Sequence, residues 1–276
     1  MDISLIVGWI MGIILIVYGI TFDKSGISFE KIGNFIDMSS VIIVVGGTIA
    51  SLIASYPLKT LAQIPKHVGI MLNPKRYDAE KVIDIMVDMA KTARKKGLLV
   101  LEEQANGIKD PFLKQSIMLI VDAMDAEKIR EMLESEVSAM SDRHEQDVSL
   151  YEKGTSVAPA FGMIGTLVGL VNMLKSMNMD GGGASSLGQD MSVALITTFY
   201  GCVMAHLLFG PMAKKLRIRN DEEFLYKQII IEGVLSIQAG DNPKYLEEKL
   251  LSYLSQAQQN KIAKKRSGGA ATEASS

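Results

Sequence analysis

Long apolar runs without charge alternate along this chain with stretches dense in charge. Residues 3–22 (ISLIVGWIMGIILIVYGITF), 39–56 (SSVIIVVGGTIASLIASY) and 154–174 (GTSVAPAFGMIGTLVGLVNML) carry no charged side chain. Residues 191–212 (MSVALITTFYGCVMAHLLFGPM) carry only His206. Each run is close to the roughly 20 residues a helix needs to cross a hydrocarbon core. The pattern predicts four spans, over 3–22, 39–56, 154–175 and 191–212. Only Met1 and Asp2 precede the first run and no A-x-A site follows it, so it reads as a retained span rather than a cleaved secretory signal.

Between spans two and three the pattern changes to that of water-facing helices. Residues 78–96 place Val82, Ile85, Met86 and Met89 at helical spacing and end on Arg94, Lys95 and Lys96. Gly97 breaks the helix, and Leu98–Leu101 with Glu102 and Glu103 open the next piece. Asn73-Pro74 marks a turn. Asp110-Pro111 suits a helix start, with 112–124 apolar enough to be a buried helix. Residues 125–150 are charged with an apolar stripe of Ile129, Met132, Leu133, Val137 and Met140. The predicted fold is an all-α integral membrane protein. A transmembrane hairpin over 1–57 is followed by a helical cytoplasmic domain over 58–153. A second hairpin over 154–212, a helical cytoplasmic tail over 213–255 and a flexible end over 256–276 complete it.

Charge supplies the orientation. Lys214, Lys215, Arg217 and Arg219 follow the fourth span at once. The short connections 23–38 and 176–190 and their edges hold only Lys24, Lys31 and Lys175. Basic residues favour the cytoplasmic side, so both termini and the 58–153 block are expected on the cytoplasmic side of the membrane, with the four spans in its lipid. A mean hydropathy of +0.20 beside 22% charged residues agrees with a membrane protein that has large aqueous parts. The net charge of −2 gives nucleic acid no electrostatic handle. Cys202 is the one cysteine, which leaves no disulfide framework or thiolate metal cluster, and the 17 methionines suit packed helix interfaces. No phosphate-cradling loop, dinucleotide turn or serine elbow is present, so enzyme chemistry has no foothold and no cofactor is implied.

The spans lack something as well. No Asp or Glu lies well inside any of the four, whereas an ion path through lipid ordinarily needs an ionisable group at depth. The chain offers Thr48, Ser51, Thr166, Thr197, Thr198, Tyr200 and His206 instead. His206 lacks companions for a metal site and reads as a packing residue. If ions cross here, the carboxylate comes from another chain and this one supplies a polar wall. Hydroxyls suit sodium as oxygen ligands and equally suit a water wire for protons. Gly162, Gly165 and Gly169 form a small-residue face, expected to pack on a neighbouring copy and leave Thr166 toward the centre. Pro159 and Pro211 either bound the spans or mark points where cytoplasmic motion couples to the membrane. Arg94 and Lys95 with Glu102 and Glu103 are either a solvated surface or a charged docking patch.

Several stretches together carry a resemblance: FIDMSSVIIVVGGTIASLIASYP (35–57), ARKKGLLVLEE (93–103), VAPAFGMIGTLVGL (157–170), ALITTFYG (194–201) and EGVLSIQAGDNPKYLEEKLLSYL (232–254). The chain resembles the MotA/PomA family of flagellar stator subunits from about residue 3 to 255. The resemblance implies a homo-oligomeric ring, five copies around two of a MotB/PomB-type single-span partner that brings the ion-binding aspartate. It implies torque residues at Arg94 and Glu102, flanked by Lys95 and Glu103, that engage the rotor protein FliG. It places the family's functional prolines at Pro159 and Pro211, and its channel threonines at Thr166 and at Thr197 or Thr198. The transported ion would be H+ or Na+. The nearest alternative is an ExbB/TolQ-type energiser of outer-membrane processes; such proteins have three spans, and the fourth predicted here argues against it.

Overall fold

Helix caps and breakers written in the sequence set most element ends. The computed structural model describes residues 3–23, 26–73, 77–178 and 184–263. Pro74, Lys24, the centre of the 176–190 connection and the KKRSGGAATEASS end therefore lie outside the described residues. The chain divides into two compact units, residues 1–75 with 144–219 and residues 76–143 with 220–276.

In the first unit, α1 (Ile3–Thr21) leads into a two-residue antiparallel ribbon, in which Phe22 faces Ile27, and then a 3-10 turn over Phe29–Phe35. Asp37 starts α2 (Met38–Ser55): its carboxylate accepts from the Ser40 amide and hydroxyl, both at 2.6 Å. A short helix, Leu58–Leu61, precedes α3 (Ile64–Leu72). Among the described residues, four helices are long and apolar enough to cross a membrane. Ile10, Met11, Ile13, Ile14 and Leu15 of α1 are exposed, as expected of side chains whose solvent is lipid or another chain.

In the second unit, α4 (Ala79–Lys96) begins at Asp78, which accepts from the Lys81 amide, and ends at Gly97. Gly97 has φ +86°, a left-handed conformation that glycine adopts without strain. A 3-10 turn (Leu98–Val100) runs into α5 (Leu101–Asn106). As predicted, Asp110 and Pro111 begin the next helix, α6 (Pro111–Val121): the Asp110 carboxylate accepts from the amides of Phe112 and Leu113. The core gathers Val82, Ile83, Met86, Leu113, Ile117, Ile129, Leu133, Val137, Ile230 and Val234. Ile85 and Met132, read as part of the apolar stripes, are exposed, while Ile83 and Val87 are buried. The α4 stripe is rotated by about one residue, a shift that a 3.6-residue period tolerates.

The two long helices are more continuous than the sequence pattern implies. Residues 125–150 and span three form one helix, α7 (Ala126–Asn178). Span four begins in α8 (Ala184–Val203), continues through a π-helical stretch, Met204–Phe209, and ends in the first turn of α9 (Gly210–Gln238). A further helix, α10 (Pro243–Leu251), is capped by Asn242. Residues 256–263 are helical, with Ile262 buried.

The glycine face of span three corrects one expectation. Gly162, Gly165 and Gly169 pack against this chain's own α8, not against an open surface. A Cβ on Gly165 would lie 2.4 Å from Thr197 Cγ2, one on Gly169 would lie 2.7 Å from the Asp190 carbonyl, and one on Gly162 would lie 3.0 Å from the Thr197 carbonyl. From the other side, a Cβ on Gly201 would come within 2.8 Å of the Ala158 carbonyl. The glycines are consumed in closing the 154–212 hairpin on itself, because helices meeting at this distance leave no room for a side chain. Gly165→Val is expected to cost about 1–3 kcal/mol by overpacking. Gly46→Ala, where nothing lies within 4 Å, is expected to be tolerated. Thermal unfolding of the two purified variants in detergent checks the difference.

Candidate functional site

Close approach of α7 and α8 concentrates oxygen atoms at one level of the hairpin. Thr166 Oγ1 lies 2.6 Å from Thr198 Oγ1, 3.0 Å from the Ala194 carbonyl oxygen and 3.1 Å from the Gly162 carbonyl oxygen. Thr198 Oγ1 lies 3.2 Å from the same Ala194 oxygen, and Thr197 Oγ1 lies 3.0 Å from it and from the Val193 oxygen. Each hydroxyl has one proton to give, so Thr166 and Thr198 exchange partners within the cluster rather than satisfying all of them at once. The structure separates the two threonines that the sequence left equivalent. Thr197 is fully buried under Gly165, whereas Thr198 is exposed beside a half-buried Thr166.

Pro159 sits in the interior of α7 and does not bound a span. Having no amide hydrogen, it leaves the Thr155 carbonyl without its usual helical donor. Pro211 is the second residue of α9 and follows directly on the π-helical stretch. There the Gly210 amide reaches back to the Ala205 carbonyl, so the ladder has one residue inserted just before the proline. Each proline thus coincides with a break in the helical ladder, made by its own missing donor at Pro159 and preceded by the inserted residue at Pro211.

The charged patch belongs to the second unit. Arg94 and Lys95 occupy the last turn of α4, and Glu102 and Glu103 occupy the first turn of α5. Each sign sits at the helix end whose dipole favours it. All four side chains are exposed, and among the described residues none takes part in an ion pair. Beside Arg94 a cleft of about 140 Å³ is lined by Ala90, Ala93, Leu98, Ile237 and Asp241, among others.

The profile of the MotA/TolQ/ExbB proton channel family matches residues 104–229. Motility protein A of Borreliella burgdorferi is 42% identical over 254 residues, covering 92% of this chain and 94% of that one. The structure of the flagellar MotAB stator complex from Bacillus subtilis matches with a TM-score of 0.82 at 30% identity, over 94% of this chain and 98% of that one. The C. jejuni MotAB structure matches equally, with a TM-score of 0.82 at 26% identity over 93% of this chain and 97% of that one. The chain belongs to the motility protein A family. It is a membrane protein, and its four apolar helices and helical aqueous parts are those of the family's fold.

Two features of this family member escape a reading of sequence alone. The first is a buried cluster around His67 in α3. His67 is 2% exposed, its Nδ1 lies 3.0 Å from the Tyr151 hydroxyl, and its Nε2 lies 3.4 Å from an Asp147 carboxylate oxygen. The Nε2 contact is electrostatic, since its geometry falls short of a hydrogen bond. Burial lowers the His67 pKa; Asp147 opposes the shift, and Lys66 and His144 reinforce it. Burial, and then Asp147, pushes the Tyr151 hydroxyl upward, so it stays protonated and shares a hydrogen bond with Nδ1. The second feature is Asp190. The 176–190 connection is shorter than expected: α7 runs to Asn178 and α8 starts at Ala184, which places Asp190 on a helix. Its carboxylate accepts from Ser176 Oγ at 3.0 Å.

His67 is therefore neutral at pH 7. Because folding depresses its pKa, the folded state binds fewer protons than the unfolded chain below the ordinary value of about 6.5. The stability is fully present above that pH and falls as pH drops through the window beneath it. Thermal unfolding is expected to weaken from pH 7 toward pH 5, and His67→Gln should remove part of that slope.

Proposed function

We propose that this chain is the ring-forming subunit of a bacterial flagellar stator, which couples cation flow across the plasma membrane to rotation of the rotor. The observation that carries this reading is the Thr166–Thr198 pair over the Ala194 carbonyl. It is a group of neutral oxygens on a membrane hairpin, in spans that carry no acid at their centre. Such a wall can hold a cation or a water chain but cannot neutralise it, so a partner chain must bring the carboxylate. The similar solved structures are of MotAB complexes, which supports a MotB-type single-span partner here. A homo-oligomer closed around that partner would turn the exposed faces of several spans into buried ones.

The reaction needs no covalent step. An ion leaves the partner's carboxylate, passes the hydroxyls and falls toward the cytoplasm, releasing about 2.3 kcal/mol per charge for each 100 mV. A few ions per step match the energy of rearranging packed helices. The interrupted backbone at Pro159 and Pro211 is where such a rearrangement costs least. The exposed Arg94/Lys95 and Glu102/Glu103 pairs would then carry the force to FliG through complementary charges. The proton is favoured as the coupling ion, with sodium the alternative for the same oxygens. Homology to motility proteins along more than nine-tenths of the chain, and four spans rather than three, favour this role over that of an outer-membrane energiser.

The deciding experiment is rotation of tethered cells that lack the native chain. Arg94→Glu and Glu102→Lys are expected to leave stability within about 0.5 kcal/mol, since both positions are exposed, yet to stop or sharply slow rotation. Normal rotation in both variants would return the patch to an ordinary solvated surface. For the ion path, Thr166→Ala removes one oxygen, which at about 1 kcal/mol corresponds to roughly a fivefold rise in the cation concentration giving half-maximal speed. An unchanged sodium response would remove Thr166 as a sodium ligand.

A further inference from the structure

We infer that Asp190 is a cation-attracting residue at the mouth of the path whose narrow part is the Thr166–Thr198 cluster, an assignment that rests on the stator reading above. Asp190, Ala194 and Thr198 follow one another at four-residue steps on α8, so they stay on one side of the helix, and Asp190 stands about 12 Å from Thr198 along its axis. The contacts with α7 fix that side. The Asp190 carbonyl and the Ala194 methyl both close on Gly169, and the Ala194 carbonyl meets Thr166. Ser176, seven residues beyond Gly169, returns to the same side of α7 and donates to the Asp190 carboxylate. The acid and the hydroxyl pair therefore lie on one seam between two helices.

A carboxylate on an apolar hairpin is costly, and a structural acid would be expected to have a basic partner. Among the described residues no lysine or arginine pairs with Asp190; the neighbouring Lys175 is exposed, and residues 179–183 read MDGGG, without a cation. Ser176 satisfies one oxygen and holds the group in place, leaving its charge directed along the seam. A single negative charge about 12 Å from a site, at an intermediate effective dielectric, raises the cation occupancy there by about threefold to tenfold. Its function is to concentrate the monovalent cation before the neutral oxygens receive it, and it leaves the step at the partner's carboxylate untouched.

The experiment measures rotation speed of tethered cells against sodium at fixed pH, and against pH at fixed sodium, for the native chain, Asp190→Asn and Asp190→Glu. Asn keeps an oxygen for Ser176 and removes the charge. It is expected to raise the half-maximal concentration of the coupling cation by about threefold to tenfold while speed at saturation stays near native, and Glu is expected to restore the native curve. Added choline chloride should narrow the difference by screening. An Asn curve superimposable on the native one, or a speed lowered equally at every concentration, would overturn the assignment. If Asp190→Asn does not accumulate in the membrane, Asp190→Gln against Asp190→Glu makes the same comparison at equal size. A native chain that supports no cation-dependent rotation would sink the stator reading itself, and that arm is read without any variant.

Discussion

Everything in the membrane hairpin depends on how closely α7 and α8 approach each other. Gly162, Gly165, Gly169 and Gly201 remove the side chains that would hold the two helices apart, and the gap is filled by Thr197, Ala158 and backbone oxygens. Dispersion and backbone contact over such a face supply the association that lipid cannot, because lipid tails are as apolar as the helices themselves. The same closeness places Thr166 within hydrogen-bonding reach of Thr198 and of Ala194. An additional methyl group on the seam would push the helices, and with them the two hydroxyls, apart. The glycine packing and the hydroxyl pair are in this sense the same contact.

The larger architecture was legible because its signals are long. Four uncharged runs, the Asp78, Asp110 and Gly97 boundaries and the basic segment after residue 213 each rest on many residues or on strong local chemistry. The glycine face was visible too, but its partner was not. Spacing shows that a helix is smooth on one side without showing what lies against it, and the answer was the chain's own α8. The choice between Thr197 and Thr198 failed for a related reason. Adjacent residues differ by about 100° on a helix, and only the position of Gly165 decides which of them is buried. Asp190 was missed because the glycine- and serine-rich segment before it reads as a loop, although α8 begins inside that segment.

His67 shows a different kind of limit. Nothing in IPKHVGIML marks its fourth residue as a member of a buried triad, because Asp147 and Tyr151 lie some 80 residues further on. His206 drew attention as the histidine within a span, yet the buried imidazole is in the short amphipathic helix after span two. Long-range pairs of this kind are formed by the fold and leave no mark on local periodicity.

The contact between Gly201 and the segment around Pro159 has a mechanical consequence. On one side is a residue with no side chain, and on the other the backbone of Ala158 and Pro159, at a point where the helical ladder has already lost a rung. Two surfaces without ridges do not interlock as gear teeth do. They meet main chain to main chain, so the distance between α7 and α8 at this level is set by backbone atoms, and any side chain at 201 would wedge the hairpin open from that end.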